Sequence, residues 1–246
     1  METKFKISLM LLATLFFVNV STAKPVKEKR EVKQFFKIEV SRGIDLYYTQ
    51  DSGYSLEIEA DEDIIGNVKT VVKGSTLVIG RKKLSFKGKR SKAIVYVLGP
   101  YIDDIKSSSG ADFYVKNLEL NSLSVNVSSG ADVKIEGLKV NGDVEISVSS
   151  GADCLIRNVQ VKNASLSAGS GGDIKVNQIL AGNMSISASS GSDIKVDGKV
   201  ESTEVRASGG ADVILKGEMD SLVVNCSRGA DVHMKELRAN KIETNR

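Results

Sequence analysis

The sequence predicts an all-β chain folded as a right-handed parallel β-helix, a β-solenoid, behind an N-terminal β-rich cap. Three observations predict it. A Gly-Xaa-Asp unit recurs at Gly110-Ala111-Asp112, Gly130-Ala131-Asp132, Gly151-Ala152-Asp153, Gly171-Gly172-Asp173, Gly191-Ser192-Asp193, Gly210-Ala211-Asp212 and Gly229-Ala230-Asp231, with Asp-to-Asp steps of 20, 21, 20, 20, 19 and 19. A period that steady over seven units is the mark of a repeat architecture. Apolar and polar residues alternate on both sides of every unit. Finally, the 246 residues are 41% hydrophobic, enough for a buried core, but none of the aromatics lies beyond Tyr114, so the repeats must pack on aliphatic side chains.

The alternation assigns the faces. Strands send successive side chains to opposite sides. Seven residues before each aspartate stand Ile105, Val125, Ile146, Leu166, Ile186, Val205 and Val224; one after stand Phe113, Val133, Cys154, Ile174, Ile194, Val213 and Val232. Val115, Ile135, Ile156, Val176, Val196, Leu215 and Met234 follow three after, and Leu118, Leu138, Val159 and Ile179 add an apolar position six after. Each period therefore holds two short strands joined by a Ser/Gly corner. Strands so short cannot bury a face alone, whereas coils stacked about 4.8 Å apart pool theirs into one column. A coil of this size, without a strict six-residue repeat, favours the right-handed form.

The corner has a local logic. Glycine two before every aspartate implies a positive φ, which only glycine adopts without steric cost, and the aspartate is then placed to accept turn amides. Asp112, Asp132, Asp153, Asp173, Asp193, Asp212 and Asp231, paired with Gly110, Gly130, Gly151, Gly171, Gly191, Gly210 and Gly229, are thus expected as structural turn residues. Stacked carboxylates repel by about 0.9 kcal/mol per pair at that spacing in water, so they must be solvated, amide-bonded or bridged by cations.

Ahead of the repeats the pattern changes. Lys4 and Lys6 precede an apolar run from Ile7 to Val20 and the small residues Ser21-Thr22-Ala23, which reads as a signal peptide over 1–23 and an exported chain: periplasmic, on the outer surface or secreted. The run is short for a membrane span, and no Cys near the cleavage point offers a lipid anchor. Residues 24–104 show strands at Phe36–Val40, Leu46–Tyr48, Leu56–Ile58, Leu77–Ile79 and Ile94–Val97, with a short helix or turn between Asp61 and Thr70. This segment is expected to cap the column continuously with the solenoid of 105–246. The charge balance of 34 basic to 31 acidic residues excludes a dedicated nucleic-acid binder.

The run Ser41-Arg42-Gly43-Ile44-Asp45-Leu46-Tyr47-Tyr48-Thr49-Gln50, then Ala60-Asp61-Glu62-Asp63 and Val71-Val72-Lys73-Gly74-Ser75-Thr76-Leu77-Val78-Ile79, followed by the Ser/Gly-Asp repeats, resembles the head GIN domain family over about residues 33–240. Members are secreted bacterial proteins, typical of Bacteroidetes, described as autotransporter adhesin heads. The resemblance implies a right-handed β-helix of pectin-lyase-like shape without the catalytic residues of those enzymes, and a role in adhesion. Asp45 stands where the family's nickname has Asn, and no membrane barrel or sorting domain is recognisable before Arg246.

No catalytic constellation emerges. Calcium favours carboxylate oxygens, but one aspartate per coil falls short of its six to eight ligands. Polysaccharide cleavage needs converging carboxylates, whereas the outward row reads Ser124-Asn126, Ser147-Ser149, Ser165-Ser167 and Ser185-Ser187-Ser189. His233 has no Cys or second His nearby, and Cys154 and Cys226 lie too many coils apart to be bridged. The strongest contact candidate is the basic run from Arg81 to Lys92. Within it Lys82, Lys83, Lys87, Lys89 and Arg90 could hold an anionic glycan or an acidic partner, beside the cap tyrosines Tyr47, Tyr48, Tyr54 and Tyr101. The expectation is an exported, non-enzymatic module without a cofactor that binds a cell-surface glycan or protein, with homo-oligomers left open. The alternatives are a polysaccharide-active enzyme and a calcium-stabilised rod.

Overall fold

Each period folds as one coil, and successive coils lie in parallel register. The computed structural model describes residues 25–82 and 92–245. The expected signal peptide therefore lies outside the described residues, as do Lys83, Lys87, Lys89 and Arg90. In chain order the elements are β1 (Pro25–Arg30), β2 (Lys37–Ser41), β3 (Asp45–Gln50), β4 (Ser55–Asp61), the one-turn helix α1 (Glu62–Ile65), β5 (Val68–Lys73), β6 (Thr76–Arg81) and β7 (Ala93–Gly99). There follow β8 (Asp104–Ser108), β9 (Asp112–Leu120), β10 (Leu123–Ser128) and β11 (Asp132–Ser149). The last five are β12 (Asp153–Gly169), β13 (Asp173–Ser189), β14 (Asp193–Ser208), β15 (Asp212–Cys226) and β16 (Asp231–Asn245).

From β11 onward one continuous strand spans nearly a whole coil, because bridging to the next coil persists through its bends. Val133 faces Cys154 and Cys154 faces Ile174 across the parallel ladders, and all three are buried. The chain is a parallel β-solenoid. Each coil has three in-register runs rather than two: beyond the run starting at Asp132, a second buries Leu138 and Val140, and a third buries Val144, Ile146 and Val148. Each fully buried Ile or Leu contributes about 1.5–3 kcal/mol, and the column repeats that contribution coil after coil.

The corner glycines adopt the expected left-handed conformation, and so does the residue before each: Ser150 has φ 60° and Gly151 φ 64°. What satisfies the corner differs from the expected turn. Backbone amides donate to the adjacent coil, Gly130 N to Ser150 O at 3.2 Å and Asp153 N to Ala131 O at 3.1 Å. The aspartates are thus freed from capping their own turns. Where a ladder carboxylate does accept an amide, the bond runs between coils, from Asp193 N to Asp173 Oδ1 at 3.1 Å.

The N-terminal end is closed by strands whose order in space is not their order in sequence. β2 and β3 lie on β8 and β9 in parallel, so the column extends ahead of Ile105. β6 and β7, later in sequence, stack outside β2 and β3, again parallel. Antiparallel strands then finish the end: β4 on β7, β1 on β4, and β5 on β6. Arg30 fastens the two flanks together, with Nη1 donating to Val68 O at 2.6 Å and Nη2 to Ile65 O at 3.2 Å. Buried Phe35 packs edge-on against Tyr54, with ring centroids 5.2 Å apart.

Candidate binding surface at the closed end

The aspartate ladder is one residue longer than the repeat count suggests. Asp45 stands opposite Asp112, and the register continues through Asp132, Asp153, Asp173, Asp193, Asp212 and Asp231. Gly43-Ile44-Asp45 is the same Gly-Xaa-Asp unit, 67 residues ahead of Asp112. The separation hid it from a search for a fixed period. Partial burial, reinforced by neighbouring carboxylates, pushes Asp45, Asp132 and Asp153 above the usual range, and Arg81 and Lys92 act against the rise at Asp45. Both flanks of the basic run therefore reach the head of the acidic ladder. Among the described residues no three His, Cys, Asp or Glu side chains converge as metal ligands.

Two residues beyond the aspartates runs a second outward row. At the head it is aromatic: Tyr47 stacks on Tyr96 at 5.6 Å and on Tyr114 at 4.9 Å, with interplanar angles of 25° and 20°. Lys27 covers the far side of Tyr96, 5.5 Å from its centroid, and is itself paired with Glu57 at 2.8 Å. The Tyr114 hydroxyl donates to Asp112 Oδ2 at 3.2 Å, and burial, with the aspartate beside it, pushes this phenol up to about 12. Because the rings occupy one another's faces, the ladder offers edges and hydroxyls to a partner rather than a flat platform for a sugar ring.

Tyr48, expected among the contact residues, points the other way. It is 3% exposed, lies over Phe113 and donates its hydroxyl to Gly99 O at 2.7 Å. Its neighbour Tyr47 is 41% exposed, since adjacent strand residues take opposite faces. Tyr47 and Tyr96 join Lys29, Arg30, Tyr54 and Glu57 around a cavity of about 790 Å³, formed where the chain leaves β1. Lys82 is not part of it: at the end of β6 it donates to Gly66 O at 3.1 Å, on another stretch of the sheet. Sequence reasoning missed Tyr96 and Lys29; the signal for Tyr96 was its phase in Ile94–Val97, where Val95 and Val97 point inward.

A second groove, of about 840 Å³, follows the bend between the second and third runs. An amide ladder edges it: Asn163 donates to Asp143 Oδ1 at 2.7 Å and Asn183 to Asn163 Oδ1 at 2.9 Å. Asn recurring at one coil's spacing was its unread signature. Cys154 is buried, and its thiol is pushed up to about 12 by desolvation; Cys226 is half-buried against Ala230 O. Both are free, and His233 lies exposed on β16.

The described residues form a parallel solenoid closed at its N-terminal end, with polar outer walls. The family model described as "Putative auto-transporter adhesin, head GIN domain" matches residues 34–196 and 155–246, and the chain belongs to that family. Among solved structures, a putative adhesin from Parabacteroides distasonis is similar over 91% of this chain and 98% of its own at 19% identity, with a TM-score of 0.71. A putative adhesin from Parabacteroides merdae matches over 92% and 98% at 19% identity and a TM-score of 0.66. A protein from Parabacteroides distasonis described as a putative lipid binding protein matches over 92% and 98% at 17% identity and a TM-score of 0.69. At such identities the likeness establishes the fold. No curated protein matches the sequence.

Proposed function

We propose that the protein is an exported, non-catalytic adhesion head that engages an anionic cell-surface glycan or acidic protein at its closed end. Membership of an adhesin-head family supports the class, and no helix among the described residues is long and apolar enough to cross a membrane. The observation that carries the reading is the cavity where Tyr47 and Tyr96 meet Lys29. Tyrosine edges and hydroxyls beside a cationic side chain suit a ligand with carboxylate or sulfate groups. Both flanks of the basic run also lie at this end, so Lys82, Lys83, Lys87, Lys89 and Arg90 would add long-range attraction.

The test is a glycan and matrix-protein array probed with the chain, then with Lys29→Gln plus Tyr47→Ser, and separately with the five basic-run residues neutralised. A saturable hit weakened by the first variant, and made less salt-sensitive by the second, is the expected result. A hit untouched by both would move the site away from the closed end. Unsaturated products released from polyuronides would overturn the non-catalytic reading.

A further inference from the structure

The two ends of the column are finished differently. At the closed end antiparallel strands and α1 cover the apolar interior. At the other end β16 pairs with β15 and with no other described strand, leaving one edge of Asp231–Asn245 unpaired. The inward side chains of this coil are incompletely covered. Val232, Met234, Leu237 and Ala239 are half-buried and Ile242 is 50% exposed, whereas Val213, Met219 and Leu222, on which Val232, Ala239 and Ile242 stack, are buried. Apolar surface and unpaired strand edge coincide, the combination that invites another strand.

We propose that this coil is covered by the same coil of a second copy of the chain, the two solenoids meeting tail to tail about a two-fold axis through Arg238. The phase of the strand supports a copy of itself as the occupant. About such an axis the edges run antiparallel, and residue 238 − n faces residue 238 + n. The inward positions 232, 234 and 237 then fall on 244, 242 and 239, each of which is also inward, because β16 keeps register with β15 at Val213, Gly217, Met219, Leu222 and Val224. Met234 meets Ile242 of the partner subunit, and Leu237 meets Ala239 of the partner subunit. Centring the axis on Leu237 instead sets the inward positions 234 and 239 against the outward 240 and 235, and centring it on Ala239 sets 237 and 242 against 241 and 236, mismatches that are penalised where a face is buried.

Charge follows the same register. His233 faces Glu243 of the partner subunit. Two like pairs also arise, Arg238 with Arg238 of the partner subunit and Lys235 with Lys241 of the partner subunit. Each has a carboxylate on the diagonal, from Glu236 of the partner subunit and Glu243 of the partner subunit respectively, within the reach of long side chains in antiparallel pairs. A head-to-tail fibre is disfavoured because the closed end presents antiparallel edges carrying Lys27, Lys29, Lys69 and Lys73, which leaves the closed, isologous dimer. The inference is independent of the ligand proposed above.

Sedimentation of the chain should give twice the monomer mass, dissociating on dilution, and Ile242→Lys, at an already exposed position, should weaken association at least about tenfold, the equivalent of about 1.4 kcal/mol. In a Cys226→Ser background, Arg238→Cys should oxidise to a covalent dimer, because facing Cα atoms about 4.5–5.5 Å apart lie within disulfide reach. Lys235→Cys, which faces Lys241 of the partner subunit, should not. A chain that sediments as a monomer at every concentration would overturn the proposal. So would a dimer indifferent to Ile242→Lys, or one that cross-links at position 235 and not at 238.

Discussion

The middle coils and the closed end use the same strand chemistry to opposite purposes. In the middle most inward positions set an aliphatic side chain over another one coil away, Thr203 between Met184 and Leu222 being an exception, so burial, backbone pairing and corner geometry reinforce one another, as expected for stability that sums over nearest neighbours. At the closed end repetition is broken by strands that return antiparallel, by Phe35, Phe113 and Tyr48 filling the column, and by tyrosines outside it. The lesson is that uniform coils supply stiffness and specific chemistry collects where the uniformity stops.

Cutting into the interior should break that comparison most sharply. Leu166→Ala, in a fully buried middle position, should cost about 2–5 kcal/mol, read as a lower urea midpoint. Leu237→Ala, on the last coil, which is incompletely covered in the single chain, should cost less than half as much at dilutions where the tail-to-tail dimer is dissociated. Equal losses would show that the last coil is no looser than the middle.

A smaller effect belongs to the aromatic row. Tyr47→Ala removes both stacking contacts and should cost about 1–2 kcal/mol while leaving the far coils protected in hydrogen exchange. Loss of protection along the whole column would show that the closed end is not a separable unit. Asn163→Ala takes one rung from the amide ladder and should cost about 1 kcal/mol, measurable by thermal unfolding.

The smallest effect has the opposite sign. Burial and its neighbours Asp112 and Asp153 raise the Asp132 carboxyl above its ordinary range, so its ionised form opposes folding. That penalty is full above the raised value and fades as pH falls through it towards the unfolded value. Asp132→Asn should therefore stabilise the protein at pH 7 by less than about 1 kcal/mol, the side chain being largely solvated, and the gain should shrink on acidification. Destabilisation at pH 7 would mean that the aspartates are held by an attraction stronger than their mutual repulsion.

Much of this was legible in the sequence. Period-two alternation around the aspartates revealed the column, and glycine two before each aspartate revealed the left-handed corners. Tyr48 was misplaced although the signal was present: once Gly43-Ile44-Asp45 is aligned with the other units, Tyr47 takes the outward phase and Tyr48 the inward phase of Val115. The second of the three runs was half visible in Leu118 and Leu138. The bend after it was not, because it turns on side-chain amides rather than on a repeated glycine.

What the residues determined alone was therefore local and periodic: which side chains face inward, where the backbone turns, and that successive segments must stack to bury their faces. Only the tertiary structure decided that β6 and β7 stack outside β2 and β3, that both flanks of the basic run reach the head of the aspartate ladder, and that Tyr96, Tyr47 and Tyr114 form one stack. Those contacts join residues distant in sequence with no repeating offset, so no period carries them. They follow from which strand edge was left to pair when the chain came back to close the column.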